Sequence, residues 1–93
     1  MKRIEWDEEK NQLLQMQRGI SFEDILEKIL KKEILGRKKH PNPKKYPHQM
    51  IFIFEINAYV YYVPYVEDDE KIFLKTIIPS RKMTKIYRRE DER

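Results

Sequence analysis

MIFIFEINAYVYYVPYVEDDEKIFLKTII, residues Met50–Ile78, decides the fold. Three runs rich in β-branched and aromatic residues, Met50–Ile56, Tyr59–Val66 and Lys71–Ile78, are separated by Asn57-Ala58 and Glu67–Glu70. Such side chains suit a pleated, half-buried surface, and short polar breaks between them act as hairpin turns. An antiparallel meander is therefore expected. Alternation places Ile72, Leu74 and Ile78 on one face of the third strand, with Lys71, Phe73, Lys75 and Ile77 on the other. Pro64 lacks an N–H, so the second strand should end early or lose pairing there. Tyr59, Tyr61 and Tyr65 share one strand face. Under a covering of helices they are core; left open they form a base-stacking platform or a protein interface.

Upstream, the pattern changes to helix. Lys2–Glu5 suits a short strand, after which Asp7 is an N-cap with Glu8 and Glu9 placed favourably in the first turn. Gly19 is a natural left-handed stop. Ser21 then opens a second helix, with Asp24 completing a capping box and Ile20 stapled against Ile25. Phe22, Ile25, Leu26, Ile29 and Leu30 form an amphipathic stripe directed at the core, and Gly36 is the expected end of that helix. RKKHPNPKKYPH, Arg37–His48, contains three prolines and reads as a loop.

Downstream lies KTIIPSRKMTKIYRR, Lys75–Arg89, a strand that passes through Pro79-Ser80 into a cationic helix beginning at Ser80 and fraying in the tail RREDER. Helices favour acids in the first turn, and a cation there is disfavoured by about 0.3–1 kcal/mol. Arg81 and Lys82 go against that preference, which points to a compensating anion such as phosphate. The fold class is thus α+β: two N-terminal helices, a three- or four-stranded antiparallel sheet and a short C-terminal helix, in a single domain over residues 1–93.

Composition narrows the function. The 93 residues are 40% hydrophobic and 39% charged, with no cysteine. That supports one small core and excludes disulfide and zinc-thiolate chemistry. No apolar run reaches the ~18–20 residues of a membrane span, and MKRIEWDEEK has no signal-peptide apolar region, so a cytoplasmic protein with no membrane partner is expected. The net charge of +4 is unevenly distributed: residues 34–49 carry five cations and no anion, and residues 73–93 carry seven against three. Two basic blocks flanking the sheet-forming middle are the signature of a polyanion partner, nucleic acid above all.

Trp6-Asp7, Lys10 and Gly19-Ile20-Ser21-Phe22-Glu23 resemble the start of BrnT-type toxins, the ribonuclease members of a bacterial toxin–antitoxin class, which read W-D-x-x-K and then H-G-V-S-F-E. Ile77-Ile78-Pro79-Ser80-Arg81-Lys82-Met83-Thr84 resembles the family's I-I-S-A-R-R/K-A-T. Arg18 stands where the family has His. The resemblance implies a RelE-like arrangement, with helices on one face of a small antiparallel sheet. It also implies a metal-independent ribonuclease toxin, needing no cofactor and silenced by a DNA-binding antitoxin, as a homodimer or a hetero-oligomer with that partner.

Metal-free RNA cleavage requires a base for the 2′-OH, cationic donors for the phosphorane and an acid for the leaving oxygen. Arg81 is the candidate phosphorane stabiliser, because its planar fork grips two oxygens and keeps its charge. His40 and His48 are the candidate bases, and Tyr87, one turn beyond Met83, is a further candidate for the cleft. Lys44, Lys45, Lys75, Lys82 and Lys85 are candidate phosphate ligands, with Tyr46 as a stacking ring for single-stranded RNA. Two histidines in a cationic loop offer no metal site. Two other outcomes are consistent with the same residues: a non-catalytic RNA- or ribosome-binding module, and an antitoxin-binding protein that has lost activity.

Overall fold

The computed structural model describes residues 2–91, with side chains as far as Tyr87. In chain order the elements are β1 (Arg3–Trp6), α1 (Glu8–Arg18), α2 (Phe22–Leu30), β2 (Gly36–Lys39), β3 (Met50–Ile56), β4 (Tyr59–Glu67), β5 (Lys71–Leu74), β6 (Ile78–Pro79) and α3 (Arg81–Asp91). The class is α+β, with a mixed sheet of six strands in the order β1-β5-β4-β3-β2 and β6 paired to β4. The sheet is larger than the antiparallel one expected. β1 joins it parallel to β5, with Ile4 opposite Ile72 and Trp6 opposite Leu74. No described helix is long and apolar enough to cross a membrane.

The capping residues act as their chemistry dictates. The Asp7 carboxylate accepts the Glu9 and Lys10 N–H groups, and Gly19 ends α1 at φ 66°. Ser21 and Asp24 exchange both capping-box bonds, at 3.2 and 2.9 Å. Asn57 and Ala58, with φ of 53° and 65°, form the two-residue turn between β3 and β4. Paired left-handed residues match the twist of a tight hairpin.

Helices cover both faces of the sheet. On one, Leu14, Ile20, Phe22 and Ile25 from α1 and α2 pack with Phe52, Phe54, Val63, Tyr65, Leu74 and Ile77. On the other, Met83 and Tyr87 of α3 lie against Ile51, Ile53 and Val60. Tyr65 is fully buried and stacks on Phe52 at 4.0 Å, while Tyr61 packs at the margin of that core. The tyrosine face is therefore core at Tyr65, the arrangement expected if helices cover it. Asn11 is the buried polar link between the helices. Its carbonyl accepts the Phe22 N–H at 2.7 Å and its amide donates to Glu23 at 2.6 Å.

Several boundaries differ from expectation. α2 ends at Leu30, capped by Lys31, and Gly36 opens β2 instead of closing a helix. The segment expected to be all loop begins with β2, because its prolines lie beyond Lys39 and leave Arg37, Lys38 and Lys39 free to pair with Phe52, Ile51 and Met50. Charged side chains are a common feature of an edge strand. The third strand is two short ones: Lys75–Ile77 breaks the alternation, so Ile78 pairs with Tyr62 while Ile77 joins the core on the opposite face. Pro64 explains that break. Its carbonyl accepts the Lys75 N–H at 2.8 Å, so its N-H-less nitrogen faces the gap between β5 and β6. β4 itself continues to Glu67. The C-terminal helix runs on to Asp91, and the last two residues of the tail expected to fray lie outside the described residues.

Candidate nucleic-acid interface

β2 forms one edge of the sheet and leads into a loop folded on Asn42. The Asn42 carbonyl accepts the Tyr46 N–H at 3.0 Å and its side chain accepts from Lys45 at 3.4 Å, while the His40 N–H closes the loop on Gln49 at 3.1 Å. Prolines at 41, 43 and 47 limit the alternatives open to this backbone. The Tyr46 ring tilts against His40 with centroids 4.4 Å apart, and the Lys45 ammonium lies 5.4 Å from its centre. His40, Lys45 and Tyr46 thus meet as a ring pair with an adjacent cation. Among the described residues, Lys38, Lys39, Lys44 and Lys45 have no carboxylate within salt-bridge reach and all are exposed. Arg37 differs, bridging to Glu67 at 3.3 Å.

The loop geometry assigns a role to one imidazole. His40 Nδ1 accepts the Asn42 N–H at 3.0 Å, so the neutral ring carries its proton on Nε2. Toward an incoming phosphate Nε2–H is a donor. His48 is exposed.

α3 is fixed to β4 through one residue. The Val60 carbonyl accepts the Ser80 N–H at 2.9 Å and the Val60 N–H donates to Thr84 Oγ1 at 2.9 Å. The Thr84 hydroxyl in turn donates to the Ser80 carbonyl at 2.7 Å, and Ser80 Oγ caps the helix through the Met83 N–H at 3.1 Å. With Met83, Thr84 and Tyr87 turned to the sheet, Arg81, Lys82 and Lys85 are left exposed, without ion-pair partners among the described residues. At its far end α3 reaches β2, where the Tyr87 hydroxyl lies 3.3 Å from the position a Cβ on Gly36 would take.

The cations therefore lie in two groups, on α3 and on β2 with its loop, and not in one pocket. Arg81 starts the first beside Val60, which pairs with Glu55, and the basic loop leaves β3 at Met50. Five residues along a strand separate these points by about 17 Å. Reacting groups must approach to about 3–3.5 Å, so Arg81 and the histidines do not share one reaction centre here. α3 bridges the interval from β4 to β2, carrying Lys82 and Lys85. Lys75 stands apart, its ammonium 5.2 Å over the Phe73 ring at the end of β5.

One residue not counted among the sequence candidates is well placed. Arg18 Nη1 donates to the Ile77 carbonyl, joining the end of α1 to the segment that leads into α3. Its place where the resembled BrnT-type pattern has His was the available signal. Arg18 also lines a cleft of about 390 Å³ beneath the β3–β4 hairpin, with Lys28, Lys31, Asn57 and Tyr61. There the Lys31 ammonium, 2.7 Å from Glu27, hydrogen-bonds that carboxylate and lowers its pKa, while its own is raised by the same bond. Elsewhere, burial raises the pKa of the Tyr65 phenol, against the opposing effect of the Arg37 guanidinium 5.8 Å from its ring. Compared with family models, curated proteins and solved structures, the chain matches none.

Proposed function

We propose that this protein binds single-stranded RNA through the basic path, as a BrnT-like member of a toxin–antitoxin pair whose binding surface is intact without an assembled catalytic centre. The observation that carries this reading is two groups of exposed cations, Arg81, Lys82 and Lys85 on α3 and Lys38, Lys39, Lys44 and Lys45 on β2 and its loop, none within salt-bridge reach of a carboxylate among the described residues. Phosphates favour such a path, and the Tyr46 ring beside Lys45 supplies a surface for one base. The antitoxin in this proposal is an acidic segment competing for the same cations, and the setting is the cytoplasm. A RelE-like kinship is supported by the antiparallel β2–β5 portion with α1 and α2 on one face. The parallel β1 and the opposite placement of α3 are features of this chain.

A ribonuclease reading has one observation in its favour. The two motif-bearing segments, Gly19–Glu23 and Ile77–Thr84, are brought together where Arg18 bonds Ile77, so Arg81 extends from the point where they join. In that reading Arg81 stabilises the phosphorane. The test uses purified chain with a labelled single-stranded RNA, following binding by anisotropy and cleavage on gels, with and without chelator. Binding without cleavage is the expected result. Chelator-resistant cleavage lost on the order of a hundredfold in Arg81→Ala would establish the ribonuclease reading instead. Absence of binding at low salt would overturn both.

A further inference from the structure

The cleft between α1–α2 and the β3–β4 hairpin lies away from the basic loop, and its chemistry differs from that of the cationic path. Arg18, Ile20, Lys28, Ile56, Asn57 and Tyr61 are among its lining residues, and its volume of about 390 Å³ falls in the range of small-molecule sites. Most of its charges are already paired. Lys31 meets Glu27 at 2.7 Å, Lys28 meets Glu33 at 3.6 Å, and the Asp24 carboxylate accepts the Ser21 N–H at 2.9 Å. Arg18 is the exception. Its guanidinium is held by the neutral Ile77 carbonyl and has no carboxylate partner among the described residues, leaving most of its donor fork for an anion.

The rest of the wall is suited to a planar, hydrogen-bonding group. Tyr61 is half-buried and in contact with Tyr59, the ring centroids 5.7 Å apart. Ile20, which is buried, and Ile56 supply apolar surface. Asn57 is held by the hairpin at φ 53°, exposed, its side-chain amide without a partner among the described residues. An amide offers a donor and an acceptor side by side, the pair that matches a nucleobase edge.

We infer that this cleft is a binding site for a nucleoside monophosphate, with the phosphate on Arg18, the base against Tyr61 and its edge read by Asn57. The inference is independent of the RNA path, which lies along α3, β2 and the loop.

The test is titration of the full chain with AMP, UMP, adenosine and inorganic phosphate, followed by calorimetry and by amide shifts of residues 18, 57 and 61. At least one monophosphate should bind about tenfold or more tightly than adenosine and than phosphate, since both halves of the cleft contribute. Arg18→Gln, which removes the cation, should abolish the advantage over adenosine. Tyr61→Leu should weaken monophosphate binding about tenfold, while Lys44→Gln/Lys45→Gln should leave it unchanged. Thermal melting of each variant separates lost binding from lost fold, and Asn57→Gly, compatible with the left-handed turn, gives a further probe if either of the others unfolds. Monophosphates binding no better than inorganic phosphate, or shifts confined to the basic loop, would overturn the inference. RNA binding would remain a separate measurement.

Discussion

Neutralising Lys44 and Lys45 tests the basic path most directly. Four exposed cations on β2 and its loop, Lys38, Lys39, Lys44 and Lys45, lack acidic partners among the described residues. For single-stranded RNA each phosphate contact contributes about −0.7 to the slope of log affinity against log salt, so four contacts give about −2.8. Between about 50 and 200 mM salt the affinity should then fall about 50-fold. Lys44→Gln/Lys45→Gln removes two contacts, reducing the slope to about −1.4 and the fall to about sevenfold. Engagement of Arg81, Lys82 and Lys85 would steepen both lines by up to about 2, leaving their difference unchanged. Phosphate contacts carry no base information, so the loss should be similar for oligo-U, oligo-A and mixed sequences. The assay is fluorescence anisotropy across a salt series. A double variant with the wild-type slope, or wild-type binding insensitive to salt, would refute the reasoning.

Asn11→Leu should destabilise the fold by about 2–4 kcal/mol in urea unfolding, because the buried Phe22 N–H loses its 2.7 Å acceptor; a loss under about 0.5 kcal/mol would remove Asn11 as the link between α1 and α2. Thr84→Val leaves the Val60 N–H without its acceptor and should reduce stability by about 1–3 kcal/mol, with faster hydrogen exchange at the Val60 amide; unchanged exchange there would contradict the clamp. Asp68 is held below its ordinary pKa of 3.8, chiefly by hydrogen bonds from the Glu70 and Lys71 N–H groups. A depressed carboxylate contributes stability above its unfolded value and loses it as pH falls through the folded one, so the gap between wild type and Asp68→Ala should close on acidification below 3.8. A gap constant from neutral to acid pH would show that the turn does not depend on that charge.

Local chemistry made much of this fold legible. Asp7, Gly19 and the Ser21–Asp24 box mark helix ends through bonds between near neighbours, and the Asn57-Ala58 turn joins strands whose alternation already indicates their faces. What stayed hidden depends on distant partners. Arg37-Lys38-Lys39 has no apolar signal of its own and becomes strand because β3 presents an open edge at Phe52, Ile51 and Met50. The break at Lys75–Ile77 was written in Pro64, eleven residues before Lys75, and only the register of β4 against β5 and β6 reveals it.

The candidate site shows the same division. Exposure of the lysines followed from charge, since an unpaired ammonium cannot be buried cheaply, and from prolines that keep the loop out of the sheet. Their arrangement did not follow. Two basic blocks flanking a sheet can meet at one end or lie at opposite ends, and strand count decides which. β2 runs away from the hairpin end and delivers its loop beside Met50, whereas Pro64 breaks the neighbouring strand and β6 delivers Arg81 beside Val60. A continuous third strand and a loop without β2 would have left both ends free to converge. The single added strand and the single proline therefore separate the cations into a path about 17 Å long at the sheet. That length suits several successive phosphates better than one reacting group, and it is the ground on which we propose binding ahead of cleavage.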